Sequence, residues 1–233
     1  PHCAHEHDEA FTPKPTDEEK EIMIVGAGPA GLECAYVAAQ RGHEVHVYDK
    51  RDALGGTLLE ASKAPYGDEE LMTCINFQKT MCEKAGVEFH LGEEVTEQLI
   101  ADEMPDSVVL ATGPVYPKIP GQDDKKVVNS AGVDINPSFK WRYMIYLKQN
   151  GVMAYNDCDI EEIGDGEIIV KTYDGYRFPV QCDTVVVSER EDNDALKKTV
   201  QSEGIELFVI GDALVPRNLS SAVHDGYRIG LRI

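Results

Sequence analysis

Residues 22–50 read IMIVGAGPAGLECAYVAAQRGHEVHVYDK, and no other stretch restricts the fold as tightly. Gly26-x-Gly28-x-x-Gly31 follows an apolar strand, Glu21–Val25, and opens a helix over Gly28–Arg41 that Gly42 ends. In this arrangement the first glycine permits a tight turn. The second lets the backbone approach a diphosphate, and the third lets helix and strand pack closely. The helix start then offers unpaired N–H groups and the positive end of its dipole to an anion. A second strand, Glu44–Tyr48, runs into Asp49, placed to accept hydrogen bonds from ribose hydroxyls and to disfavour a 2′-phosphate. Strand, glycines, helix, strand and acid in this order form a dinucleotide fingerprint. Its expected contacts are Gly26, Gly28, Pro29, Ala30, Gly31, Asp49 and Lys50.

The remaining pattern agrees with an α/β, Rossmann-like domain built on a parallel sheet. Asp68 is placed to cap a helix running to Ala85, with Gly86 as its stop, and Ser107–Ala111 reads as a buried strand. Alternating strand and helix predict right-handed crossovers. Near residue 136 the character changes. Asn136-Pro137 reads as an N-cap with proline at the first helical position, opening a helix to about Gln149. Gly164–Gly166 and Asp174-Gly175 are hairpin signals of a β-meander. Thr184–Ser188 and Glu206–Ile210 read as further strands; Gly211-Asp212 follows the second, and a last helix starts near Asn218.

Composition excludes several classes. The chain carries 42 acidic against 22 basic residues, a formal charge of -20. Such a surface repels a phosphate backbone, so nucleic acid is not an expected partner. No apolar run approaches the roughly 20 residues that span a bilayer, and the polar N-terminus has no signal-peptide core. None of the six cysteines forms a C-x-x-C pair. Cys74 and Cys82 fall on one helix but about 80° apart around it, which does not make a ligand pair. Scattered thiols suit a reducing cytoplasm. The segment 1–20 reads as an extended lead-in, and its His2, Cys3, His5 and His7 lack the supported geometry a metal site needs. The chain begins at Pro1 rather than Met, which reads as processing or as an excerpt of something longer.

Three later pieces narrow the ligand. Gly55-Gly56-Thr57 follows the second strand, Ala111-Thr112-Gly113 follows another, and Gly211-Asp212 precedes the last helix. Together they resemble the FAD-binding domain of two-dinucleotide flavoprotein reductases. That resemblance implies that Asp212 holds a ribityl hydroxyl and that the last helix aims its N-terminus at the flavin pyrimidine. It places Gly56, Thr57, Leu58, Val95, Ala111, Thr112, Gly113, Gly211, Asp212, Ser221 and Ala222 at the cofactor. More narrowly, CAHEHDEAFTPKP, the fingerprint, GGTLLEASKAP, ATG and LFVIGDALVPRNLSSAVHDGYRIGLRI resemble the C-terminal half of the iron–sulfur flavoenzyme family of 2,4-dienoyl-CoA reductase and trimethylamine dehydrogenase.

The resemblance implies a parent enzyme with an old yellow enzyme-like FMN barrel, a 4Fe-4S cluster, FAD (ADP alone in trimethylamine dehydrogenase) and NAD(P)H. Electrons would pass from NAD(P)H to FAD, cluster and FMN, and then to an activated C=C bond of enoate or enoyl-CoA type. Cys3 matches the fourth cluster cysteine, whose three partners would lie upstream. No second glycine fingerprint occurs between Ala111 and Gly211, so the nicotinamide unit is expected to be incomplete near Asp134–Ile135. The expected organisation is lead-in 1–20, FAD-binding residues 21–134 and 204–233, and a partial NAD(P)-binding unit at 135–203. No catalytic acid–base set is expected in this chain. His224 and Asp225 on the last helix are read as a surface face rather than a proton relay. Two alternatives stay open: an ADP-holding module without redox chemistry, and self-association into a homo-oligomer. A disulfide reductase is disfavoured by the lack of a C-x-x-C or C-x-x-x-x-C pair.

Overall fold

The computed structural model describes residues 12–63, 70–116, 127–129, 145–153, 155, 157–187, 190–193 and 195–233. The chain divides into two compact units, 1–115 with 190–233, and 116–189.

The first unit is built on a five-stranded sheet of order β10-β4-β1-β2-β3. Its strands are β1 (Glu21–Val25), β2 (Glu44–Asp49), β3 (Glu88–Leu91), β4 (Ser107–Leu110) and β10 (Glu206–Val209). All four pairings are parallel. Helices α1 (Pro29–Gln40), α3 (Glu70–Ala85) and α7 (Leu219–Arg232) contribute to the core on one face, where Ile22, Ile24, Val45, Val47 and Val109 point. Helices α4 (Glu97–Glu103) and α6 (Lys197–Ser202) contribute Ile100 and Val200 to the other face, against Met23, Val25, Tyr48, Val108 and Leu110. β1 and β4 are buried on both faces, which is why they read as unbroken apolar runs. Each fully buried aliphatic side chain contributes about 1.5–3 kcal/mol.

From β1 the chain moves outward to β2 and β3, then returns to β4 on the other side of β1. That reversal opens a crevice at the carboxyl ends of β1 and β4, where α/β sheets of this kind bind ligands. The short helix α2 (Leu58–Ala61) follows the Gly55-Gly56 turn, and a 3-10 turn, Gly211–Ala213, follows β10. Both therefore leave sheet strands on the crevice side.

The second unit holds the antiparallel meander β6-β7-β8 (Cys158–Ile163, Glu167–Thr172, Arg177–Gln181). Its turns fall at Gly164–Gly166 and Asp174-Gly175, the two expected hairpin signals. Among the described residues it also holds a parallel pair, β5 (Val127–Asn129) with β9 (Val185–Val187), and a helix α5 over residues 145–149. The expected helix start at Asn136-Pro137, the Asp68 cap, Ser188, residues 134–135 and the lead-in as far as residue 11, Cys3 included, lie outside the described residues. Residues 12–20 form no helix or strand; Thr16 N donates to Arg41 O at 2.8 Å.

Sequence periodicity did not signal β3, α4 or α6. β3 is a four-residue edge strand with no buried residue, and α4 buries only Ile100, so neither repeats long enough to register. α4 does carry a legible cap: Thr96 accepts from Leu99 N at 3.2 Å.

Behind the fingerprint, α1 is locked to α3. The Glu33 carboxylate, 2% exposed, accepts from Tyr36 Oη and Gln78 Nε2, both at 2.7 Å, and Gln78 Nε2 also donates to Pro29 O at 3.0 Å. Burial, reinforced by the Glu33 charge, pushes the Cys34 thiol and the Tyr36 phenol up, and pushes Cys82 up to about 12. All three groups stay protonated in the folded state while the unfolded chain releases protons above their ordinary values of 9.0 and 10.0. The unfolded state then binds fewer protons, so stability falls as pH rises above about 9. Denaturant melts at pH 7 and 10 check this. Thiol titration in the native state should leave Cys34 and Cys82 unmodified while the partly exposed Cys74, Cys158 and Cys182 react.

Candidate nucleotide-binding site

The three fingerprint glycines are not equivalent. A Cβ on Gly26, whose φ is +114°, would lie 2.3 Å from Ala111 O, and one on Gly31 would lie 2.0 Å from Gly26 O. Both are required by the protein's own packing of β1, β4 and α1. Gly28 is different. Its φ is -82°, and a Cβ there would meet nothing nearer than Gly56 Cα at 4.0 Å. The fold alone would accept a side chain at position 28, so the bare backbone leaves space beside the first turn of α1.

That first turn is equipped for an anion. Gly28 is the N-cap and provides no side-chain cap, Pro29 has no N–H, and the first turn carries no acidic residue. The first backbone bond of the helix runs from Leu32 N to Gly28 O at 2.9 Å, which leaves the N–H groups of Ala30 and Gly31 without an acceptor within the helix. Opposite stands the Gly55-Gly56 turn. Gly55 N donates to Ala27 O at 2.8 Å, and a Cβ on Gly56 (φ +56°) would press on Gly28 Cα at 3.1 Å. The two glycine turns thus face each other with backbone only.

Asp49 closes one end. Its Oδ2 accepts from Ala27 N at 2.8 Å and its Oδ1 from Arg51 N at 2.9 Å, which fixes the carboxylate against the fingerprint loop. A carboxylate has about four acceptor positions, so capacity for two ribose hydroxyls remains. Ala111 N donates to Val25 O at 2.8 Å, which carries β4 into the crevice, and Gly113 turns there with φ +75°.

The chain's last segment reaches the same place. A Cβ on Gly211 (φ +62°) would lie 2.9 Å from Ala30 Cβ and 3.8 Å from Ala222 Cβ. Gly26, Gly28, Ala30, Gly31, Asp49, Gly56, Ala111, Gly211 and Ala222 are therefore linked around one crevice. Thr112 is exposed beside it, Thr57 is exposed at the start of α2, and Lys50 is exposed just after Asp49. Leu58 and Val95 are buried in the cores of opposite sheet faces.

Four further contacts were not foreseen. Asp212 Oδ2 accepts from Arg190 Nη1 at 2.7 Å, and its Oδ1 accepts from Arg217 N at 2.9 Å. Asp225 pairs with the Arg217 guanidinium and accepts from Gly211 N at 3.2 Å. Asp225 is thus a structural acceptor that holds the Gly211 turn, and His224 is exposed. At the start of α7, Asn218 Oδ1 accepts from Ser221 N at 2.9 Å and Ser221 Oγ at 3.1 Å, so a side chain caps this helix. The arginines could not be placed from sequence because Arg190 meets Asp212 across a turn of the fold.

Comparison with known proteins agrees with the Rossmann-like fold. Residues 24–71 match the family described as NAD(P)-binding Rossmann-like domain. The NADH oxidase of Thermoanaerobacter brockii is 27% identical over 268 residues, covering 92% of this chain and 41% of that protein. The dimethylamine dehydrogenase of Hyphomicrobium sp. is 26% identical, covering 97% of this chain and 43% of that protein. Among solved structures, a 2-naphthoyl-CoA reductase in complex with 2-naphthoyl-CoA superposes with a TM-score of 0.85 at 30% identity, over 97% of this chain and 42% of that one. The chain spans about two fifths of the length of these relatives. Among the described residues, no helix is long and apolar enough to cross a membrane.

Proposed function

This chain belongs to the trimethylamine dehydrogenase and 2,4-dienoyl-CoA reductase-like family, and we propose that it is the FAD-binding, electron-transfer portion of an NAD(P)H-dependent iron–sulfur flavoprotein reductase. Residues 21–115 and 190–233 bind the dinucleotide, and residues 116–189 form part of a nicotinamide-binding unit. In the parent chain, Cys3 completes a 4Fe-4S site with upstream cysteines, next to an FMN barrel that binds an activated alkene.

The observation that carries this reading is Gly28, a glycine that the protein's own packing does not require. The diphosphate lies against the N–H groups of Gly28, Ala30 and Gly31, where charge-assisted hydrogen bonds and the helix dipole favour it. Asp49 receives the adenosine ribose. Gly56 keeps the facing wall free of side chains, and the Gly211 turn seats the far half of the cofactor. FAD, when bound, supplies the hydride and one-electron chemistry. The residues here orient it and exclude water.

A second reading, an ADP-binding module without redox chemistry, is favoured by one observation. Asn218 Oδ1 already caps α7 by accepting from Ser221 N, whereas the start of α1 has no side-chain cap. The helix start on the flavin side is thus more fully engaged within the protein than the one on the diphosphate side. One experiment separates the readings. The chain is purified with FAD, its visible spectrum is recorded, and the released ligand is weighed by mass spectrometry. A bound yellow chromophore of FAD mass supports the reductase reading, ADP alone supports the module, and neither ligand defeats both.

A further inference from the structure

On the sheet face away from α1, the strands β2 and β3 bring His46, Glu88 and His90 together. The parallel register sets His46 opposite Glu88 and Tyr48 opposite His90, so these side chains share one face at the sheet edge. His46 Nδ1 lies 3.2 Å from His90 Nε2 and 3.7 Å from Glu88 Oε2, and one ligand atom from each residue falls within 4.8 Å of the others. We propose that His46, His90 and Glu88 form a binding site for a borderline transition-metal dication of the Zn2+ or Co2+ class, separate from the nucleotide crevice.

Three features support this assignment. First, ligands at the 2.0–2.1 Å usual for zinc are about 3.3 Å apart along a tetrahedron edge, close to the spacing of the two ring nitrogens. Second, each imidazole turns its other nitrogen toward a carboxylate: His46 Nε2 to Glu44 Oε1 at 3.4 Å, and His90 Nδ1 to Glu93 Oε2 at 3.9 Å. Carboxylates in that outer position orient metal-bound histidines and raise their basicity. Third, the rings are held in place. His90 stacks on Tyr48 with centroids 4.3 Å apart and planes 9° from parallel, and the His46 side chain is only 17% exposed. Three protein ligands leave a fourth position to water. Two nitrogens and a carboxylate suit Zn2+ or Co2+ rather than Mg2+ or Ca2+. Bound metal would pin the edge strand β3 to β2.

The test is a Co2+ titration of the full reduced chain, with and without nucleotide. The expected result is one equivalent with visible d–d bands of the intensity of tetrahedral Co2+ and no thiolate charge-transfer band, unchanged by nucleotide. Since loss of an outer-shell partner alone costs 10–100-fold, His46→Gln or His90→Gln should each weaken this equivalent by more than about 10-fold. Glu88→Gln, on an exposed side chain, should weaken it with both imidazoles intact, and circular dichroism checks that each variant folds. An equivalent that survives both histidine substitutions, a thiolate band, or no binding overturns the proposal.

Discussion

Gly28→Ala is expected to leave the protein folded and to remove most of its affinity for adenine dinucleotide, whereas Gly31→Ala is expected to remove the fold. The two substitutions add the same methyl group three residues apart in one motif. At position 28 the new Cβ meets no protein atom nearer than 4.0 Å, and the backbone φ of -82° suits alanine. Its cost to stability is the poorer N-cap, about 1 kcal/mol. The methyl occupies the space where a diphosphate would approach. Loss of one charge-assisted hydrogen bond costs about 1.5–3 kcal/mol, or roughly 10–100-fold in Kd. At position 31 the Cβ would lie 2.0 Å from the Gly26 carbonyl oxygen, an approach that forces α1 off β1. Thermal melts and equilibrium binding of FAD and ADP to both variants check this. A Gly28→Ala protein that binds as well as the parent would mean that nothing approaches the backbone there.

Gly226→Ala is expected to destabilise the protein by about 3 kcal/mol, although it replaces glycine by the best helix former. On an exposed helical face that substitution stabilises by roughly 1 kcal/mol. Here α7 crosses α1 with backbone almost in contact. A Cβ on Gly226 would lie 2.3 Å from Ala30 O, and one on Gly230 would lie 2.9 Å from Cys34 O and 2.7 Å from Val37 Cβ. The helices must separate, which opens the core around Leu32 and Val37 and shifts Ala30, a residue of the site's first turn. For a domain of this size, about 3 kcal/mol lowers Tm by roughly 6–12 °C. His224→Ala, exposed on the same helix, is the control and should leave Tm nearly unchanged. An unchanged or raised Tm for Gly226→Ala would contradict the close crossing.

The parts legible in the sequence were those in which local chemistry decides local geometry. Gly26 and Gly31 announce a tight turn and a close approach because their Cβ atoms would strike backbone, and the hairpin turns at Gly164–Gly166 and Asp174-Gly175 follow the same logic. Asn218 announces a helix start because its side chain completes the cap. Contacts made between distant segments were not legible. No spacing rule links Glu33 to Gln78, Asp212 to Arg190, or His46 to His90, because each pair meets only once the sheet order and helix packing exist. The edge strand β3 escaped notice for a related reason: its pattern lacks the burial that makes β1 and β4 readable.

The central claim is that the bare first turn of α1, facing the Gly55-Gly56 turn, holds a diphosphate. Its most direct test is a titration of isotope-labelled chain with ADP, followed by amide NMR. The account predicts saturable shifts largest at the N–H groups of Gly28, Ala30 and Gly31, with smaller ones at Gly56 and at Ala27, which Asp49 holds. Saturable shifts centred elsewhere with those amides unmoved, or no shifts at millimolar ADP, would contradict it.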